Sequence, residues 1–160
     1  MFNLSEKTIL VTGATSGIGF RACMELARQG AFVIGTGRDE QRCENARQSI
    51  LQEIPQAKLA FLVGDLSSQN QTKRLAEESL QLIRETGKGR LDVLVNNAGV
   101  FSARKRFSED GIELTFAVNH IAPFLLTHCL LPALNASDDA RVLTVSSDSH
   151  YNTRFDPRRA

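Results

Sequence analysis

Short apolar runs alternate along this chain with longer stretches whose apolar residues recur every three or four positions. The first run, Thr8-Ile9-Leu10-Val11, is uninterrupted and partly β-branched, the pattern of a strand buried on both faces. After a glycine-rich turn, Ile18, Ala22, Leu26 and Ala27 form one stripe with Glu25, Arg28 and Gln29 facing away, which predicts a helix ended by Gly30. Ala31 to Ile34 reads as a second strand, Asp39 to Glu53 as a helix closed off by Pro55, and Leu59 to Val63 as a third strand. Ser67 or Ser68 can then cap a long helix reaching about Thr86, ahead of Gly87 and Gly89. Leu91 to Val95 makes a fourth strand. A polar loop leads to a helix from Asp110 to Leu134, with Leu114, Ala117, Val118, Ile121, Leu125 and Leu126 on its apolar face, and Arg141 to Val145 makes a fifth strand. Strands separated by helical crossovers specify an α/β domain with a doubly wound parallel sheet. Its ligand is expected across the carboxyl ends of the strands, where the strand order reverses.

The turn Thr12-Gly13-Ala14-Thr15-Ser16-Gly17-Ile18-Gly19 joins the first strand to the first helix without a gap. Glycines serve such a turn by allowing a tight reversal, by letting backbone approach a ligand, and by bringing helix and strand close. The free N–H groups of the helix's first turn, at the positive end of its dipole, suit a pyrophosphate. The spacing is Gly-x-x-x-Gly-x-Gly rather than the general Gly-x-Gly-x-x-Gly. No Gly-Lys-Ser or Gly-Lys-Thr follows, which argues against a P-loop nucleotidase.

Composition narrows the partners. The 160 residues carry a formal charge of +1, with basic clusters only at Arg104-Lys105-Arg106 and Arg158-Arg159, so no nucleic-acid surface is expected. Cys23, Cys43 and Cys129 form neither a metal-type spacing nor a disulfide framework. His120, His128 and His150 form no metal motif, and no metal site is expected. The first seven residues lack a long apolar run, and Ile121 to Leu134 is broken by Pro123, Thr127, His128 and Pro132. The expectation is therefore a chain without a membrane span, in a reducing, cytoplasmic setting.

The residues just past each strand carry the candidate chemistry. After strand two stand Gly37, Arg38 and Asp39. An acid at the strand end would bind adenosine ribose hydroxyls and favour NAD, whereas an arginine would pair with a 2′-phosphate, so Arg38 favours NADP and Asp39 keeps NAD open. Asp65 could accept from an adenine amine or simply shape a turn. Asn96-Asn97-Ala98-Gly99 is small and amide-rich, able to tie strand ends together and to let backbone pass close to a ligand. Ser146-Ser147 could donate to a substrate carbonyl. Asn119, a poor helix former, sits in mid-helix either as a satisfied core amide or for a functional reason.

In order, Thr-Gly-x-x-x-Gly-Ile-Gly at 12–19, Asp65-Leu66, Asn96-Asn97-Ala98-Gly99, Asn119-His120-Ile121-Ala122-Pro123-Phe124-Leu125-Leu126-Thr127 and Val145-Ser146-Ser147 closely resemble the short-chain dehydrogenase/reductase family over about residues 7–147. Gly37-Arg38 and the Asn119 segment look most like its retinol dehydrogenase-like branch, whose members typically use NADP(H) on lipophilic aldehydes, alcohols and ketones. The resemblance implies a Rossmann-type fold and a single NAD(P)-binding domain over residues 1–160, with NADP(H) preferred, NAD(H) possible, and a small carbonyl or alcohol as substrate. By the same resemblance Gly13, Ser16, Gly17, Ile18 and Gly19 would hold the pyrophosphate and nearby ribose, Arg38 the 2′-phosphate, and Asp65 with Leu66 the adenine. Asn97, Ala98 and Gly99 would line the adenosine and ribose side, Ser147 would polarise the substrate carbonyl, and Asn119 would help hold a proton-relay water.

That chemistry also needs Tyr-x-x-x-Lys, in which lysine lowers the tyrosine's pKa from about 10. Here Tyr151 is followed four positions on by Phe155, it stands closer to Ser147 than the family's tyrosine does, and no lysine follows Lys105. Two readings stand. The chain is the amino-terminal part of an NADP-dependent reductase, incomplete at its carboxyl end, or it is a non-catalytic dinucleotide-binding or interaction module. The first accounts better for Asn119 and Ser147. A nucleotide-dependent transferase would explain the glycine turn but not Asn-Asn-Ala-Gly. The 160-residue chain itself is expected to lack reductase activity and, through an exposed strand-five edge and an uncovered apolar face on the Asp110 helix, to self-associate.

Overall fold

The computed structural model describes residues 4–85 and 89–148. Tyr151, Phe155, His150, Arg158-Arg159 and the helix end expected at Thr86 and Gly87 lie outside the described residues. Strands β1 (Thr8–Val11), β2 (Phe32–Gly37), β3 (Leu59–Val63), β4 (Val93–Asn96) and β5 (Arg141–Thr144) form one parallel sheet in the order β3-β2-β1-β4-β5. The order reverses between β1 and β4, and this is the Rossmann-type arrangement expected.

Helices cover both faces because alternate strand residues point to opposite sides. Ile9, Val11 and Val33 pack with Cys23, Met24 and Ala27 of α1 (Gly17–Arg28) and Ile50 of α2 (Glu40–Glu53). Leu10, Ile34 and Leu94 pack on the other side with Ala76 and Ile83 of α3 (Gln69–Glu85) and Leu126, Leu130 and Leu134 of α4 (Leu114–Leu134). The α1 stripe differs from expectation: the buried face is Gly19, Cys23, Met24 and Ala27, while Ala22 and Leu26 are half-buried and Ile18, in the first turn after Gly17, is 71% exposed.

Boundaries moved for identifiable reasons. β2 runs on to Gly37 because Gly35, Thr36 and Gly37 pair with Phe61, Leu62 and Val63. Asp39 caps α2, its Oδ1 accepting from the Arg42 N–H at 2.8 Å. α4 begins at Leu114, not Asp110, because the Asp110 carboxylate accepts from the Gln69 N–H at the start of α3 and Glu113 caps the helix. β4 begins at Val93 because Leu91 and Asp92 anchor its lower end through other bonds, Leu91 N–H to Ala133 O and Asp92 N–H to Thr8 O.

α4 changes register within its length: Ala117–Ile121 is a π-helical turn, with the Ala122 N–H donating to Ala117 O. The extra residue rotates the helix, so the face that is buried beyond the turn is Ala122, Leu126, Leu130 and Ala133, while Leu125 is only half-buried. By length and composition α4 is long and apolar enough to cross a membrane, unlike the broken stretch expected from sequence, yet its buried residues belong to the core of this domain. Phe124 and Leu131 stay exposed on its outer side, and every residue of β5 is exposed.

Candidate functional site

The carboxyl ends of β1, β2, β3 and β4 open into one cavity of about 660 Å³. Its floor is the turn after β1. Gly13 has φ +65°, and a Cβ there would stand 2.9 Å from Ala98 Cα, so the turn and the loop after β4 meet backbone to backbone. A Cβ on Gly19 would collide with Gly13 O and lie 2.5 Å from Asn97 Nδ2. These glycines are therefore what allow α1 to start close under the sheet edge.

Thr12 and Asn97 fasten this junction. Thr12 Oγ1 accepts from the N–H groups of Asn97 and Ala98, both at 3.0 Å, and donates to Val95 O at 3.4 Å. Asn97 Nδ2 donates to Thr12 O at 2.9 Å and Gly13 O at 3.4 Å. Asn96 Nδ2 donates to Thr127 Oγ1 at 3.3 Å, tying β4 to α4. The amides thus hold strand ends together, and Asn97 reaches the cavity with its side-chain NH2 already engaged.

Ser16 precedes α1 in an extended conformation, and its side chain makes no capping hydrogen bond. The first N–H groups of α1 are thereby left for whatever occupies the cavity, together with the positive end of the helix dipole. This is the fit expected of a phosphate-bearing ligand. The ends of β2 and β3 contribute Gly37, Arg38, Asp39 and Arg42, and Gly64, Asp65, Leu66 and Ser67, to the same lining. Asp65 Oδ1 accepts from the Ser67 N–H at 2.9 Å, which fixes the carboxylate in the turn after β3. Val100, Leu114 and Val118 add an apolar wall. Arg106 is brought to the rim by the Leu114 N–H to Arg106 O bond of 2.8 Å and the adjacent Phe107–Glu113 bridge.

All the residues expected at the cofactor line this cavity except Gly19, which is buried beneath it. Ser147 and Asn119 do not line it. Ser147 is exposed past β5, where Val145 N–H still reaches Asn96 O. Asn119 is no core amide: it is exposed, with Oδ1 accepting from the Val100 N–H at 2.8 Å and Nδ2 donating to Val100 O at 2.9 Å. It clamps the loop after β4 onto the π turn.

That turn has a consequence for backbone carbonyls. The Val118 carbonyl loses both of its regular helical donors, since the Ala122 N–H goes to Ala117 O and the next position, Pro123, has no N–H. The Asn119 carbonyl loses its i+4 donor to the same proline.

Thr15, Arg42, Val100, Arg106, Leu114 and Val118 line the cavity without having been expected at the cofactor. Arg42 carried a signal: it lies one helical turn beyond Arg38. Arg106 carried none, because only the bridge at Phe107 brings its loop back to the sheet.

Residues 7–155 match the family model described as short chain dehydrogenase. The chain is 40% identical over 159 residues to human dehydrogenase/reductase SDR family member 13, covering 99% of this chain and 40% of that protein. It is 39% identical over 150 residues to human retinol dehydrogenase 13, covering 94% of this chain and 44% of that one. A metagenomic short-chain oxidoreductase crystallised with NADP superposes with a TM-score of 0.75 at 30% identity, covering 90% of this chain and 63% of that one. The chain spans roughly two-fifths of the length of these curated relatives.

Proposed function

Since the chain belongs to the short-chain dehydrogenase/reductase family, with retinol dehydrogenase-like proteins among its similar relatives, we propose that it forms the NADP(H)-binding part of an oxidoreductase. The proposed reaction moves hydride between nicotinamide and a small lipophilic alcohol or carbonyl, in the cytoplasm. One observation carries the cofactor reading: the uncapped first turn of α1 opens into a cavity that Arg38 also lines, while Asp39 is held by its Oδ1 as the cap of α2.

The α1 N–H groups with Gly13, Ser16, Gly17 and Ile18 would hold the pyrophosphate, over a turn kept tight by Gly19. Arg38 would hold the 2′-phosphate, Asp65 and Leu66 the adenine, and Asn97, Ala98 and Gly99 the adenosine and ribose side. The NADP complex among the solved structures supports a nicotinamide dinucleotide in this cavity. An NAD reading would rest on Asp39, whose Oδ1 is engaged in capping α2, so that only its second oxygen would be left to meet the ribose hydroxyls.

The bound cofactor would supply or accept hydride, and the chain's own groups would handle the proton and the substrate oxygen. Ser147 would donate to the substrate carbonyl. Asn119 would act through its position, clamping Val100 so that the carbonyls released in the π turn can hold a relay water. The 160 residues contain no Tyr-x-x-x-Lys, so for this chain by itself we expect cofactor binding without NADPH oxidation.

The test is a titration of NADPH and NADH into the chain and into Arg38→Gln. Loss of one charge-assisted contact should weaken NADPH binding by about tenfold or more and leave NADH unchanged. Equal losses for both cofactors would contradict the assignment of Arg38.

A further inference from the structure

The loop between β4 and α4 carries side chains that the packing of the domain does not account for. In Phe101-Ser102-Ala103-Arg104-Lys105-Arg106-Phe107 two phenylalanines bracket three cations. Phe101 is 89% exposed and Phe107 60%, and the three basic residues are exposed as well. Among the described residues Arg104, Lys105 and Arg106 form no salt bridge. Lys105 Nζ lies instead 5.3 Å from the centre of the Phe107 ring. Two of the acids that follow are committed to helix starts, Asp110 accepting from the Gln69 N–H and Glu113 from the Phe116 N–H. Only Glu109 is left to offset three positive charges. The loop is held at both ends, by the Asn119 clamp on Val100 and by the Leu114 N–H to Arg106 O bond beside the Phe107–Glu113 bridge. It stands at the rim of the cavity that Val100 and Arg106 line.

We propose that this loop docks the domain reversibly on an anionic lipid surface, with Phe101 and Phe107 entering the headgroup region and Arg104, Lys105 and Arg106 meeting the lipid phosphates and carboxylates. Charge complementarity selects that partner. A leaflet rich in anionic lipid raises affinity by about fivefold for each cation brought to it. A ring moved from water into the interface adds about tenfold. Three cations and two rings together give a partition coefficient on the order of 10⁴ M⁻¹, similar to one myristoyl chain, so the docking is reversible and needs no spanning helix. A single nucleic-acid strand also meets cations and rings, but it is held by a basic groove that tracks its backbone, whereas this cluster spans three residues of one loop. The proposal rests on the lipophilic-substrate reading only for its purpose: a substrate leaving the bilayer beside this loop would meet Val100, Leu114 and Val118 along the cavity wall.

The experiment is flotation of the 160-residue chain with phosphatidylcholine vesicles made with and without phosphatidylserine, so that bound protein rises and aggregates sink. Wild type, Phe101→Ser and the double variant Arg104→Gln/Lys105→Gln are compared, each with an NADPH titration. Wild type should half-saturate at about 0.1 mM phosphatidylserine-containing lipid, stay down with phosphatidylcholine alone, and be released by salt. Phe101→Ser should lose about tenfold and the double variant about twenty-fivefold, with NADPH affinity in both within about twofold of wild type. No flotation of wild type would overturn the docking and leave the cofactor reading to its own titration. Flotation that survives in both variants would place the contact on another surface and overturn it too. Binding to a single-stranded oligonucleotide in place of vesicles would assign the loop to a different partner. Flotation as expected without NADPH binding would keep the docking and defeat the cofactor reading.

Discussion

Replacing Thr12 by valine removes one oxygen from the point where the β1 turn meets the β4 loop. Thr12 is 2% exposed, and its Oγ1 serves two N–H groups and one carbonyl. The Asn97 N–H retains a second acceptor, Val95 O at 3.0 Å, whereas the Ala98 N–H loses the only acceptor found for it among the described residues. An orphaned N–H of this kind costs about 1–3 kcal/mol. Valine fills nearly the same volume, so no cavity term is added, and a loss of about 2 kcal/mol is expected, roughly thirtyfold in the folding equilibrium. Thr12→Ser keeps the hydroxyl and loses a methyl group, worth about 1 kcal/mol. Urea unfolding at unchanged slope should therefore rank wild type above serine and serine above valine. The valine variant should also bind NADPH more weakly, since Ala98 and Gly99 form a cavity wall. If valine proves as stable as serine and binds the cofactor equally well, the hydroxyl does not hold the junction and the reasoning fails.

Gly37→Asp, the change that would place an acid at the end of β2, should not create an NADH-binding protein. Its Cβ would collide with Thr15 and crowd Cys43 Sγ, so the expected result is about 1–3 kcal/mol of destabilisation and weaker binding of both cofactors, and a clean switch to NADH would count against it. Asp92→Ala should cost about 2–4 kcal/mol, because Asp92 is 1% exposed and accepts from the Thr8 N–H, the Ser137 hydroxyl and Lys7 Nζ while pairing with Arg90. Burial pushes the Asp92 carboxyl up, but the Thr8, Ser137 and Lys7 contacts outweigh it and hold the pKa below the ordinary carboxylate value. The stabilisation is therefore present above about pH 4, the unfolded value, and is lost as pH falls through the folded one. Acid titration should find a stability gap between wild type and Asp92→Ala that narrows only on the acid side. Self-association is expected through exposed β5 and the Phe124 and Leu131 side of α4, and a monodisperse monomer in solution scattering would count against it.

The sheet was legible because each strand is a short apolar run bounded by turn residues, and Leu59–Val63 matches its expected limits. The glycine turn was legible because its spacing reflects close backbone approaches, now seen between Gly13 and Ala98 and between Gly19 and the Gly13 carbonyl. Where sequence and structure part, a long-range bond decides. Asp110 looked like a helix start but caps a different helix through Gln69, and Gly35 and Gly37 are poor strand formers yet are held by β3. The π turn left only Pro123 as a trace, since an inserted residue rotates an apolar face without altering its composition. Arg42 and Arg106 reach the cavity through backbone geometry, Asp39 capping in one case and a β-bridge in the other, neither of which periodicity encodes. The same limit applies to Asn119, whose partner Val100 lies in a loop with no regular pattern.

The most direct test of the account is equilibrium binding of NADPH and NADH to the wild-type chain, followed by nicotinamide fluorescence. Saturable binding of both is expected, with NADPH tighter by about tenfold or more, as one arginine–phosphate contact implies. Failure to bind either cofactor, or tighter binding of NADH, would contradict it.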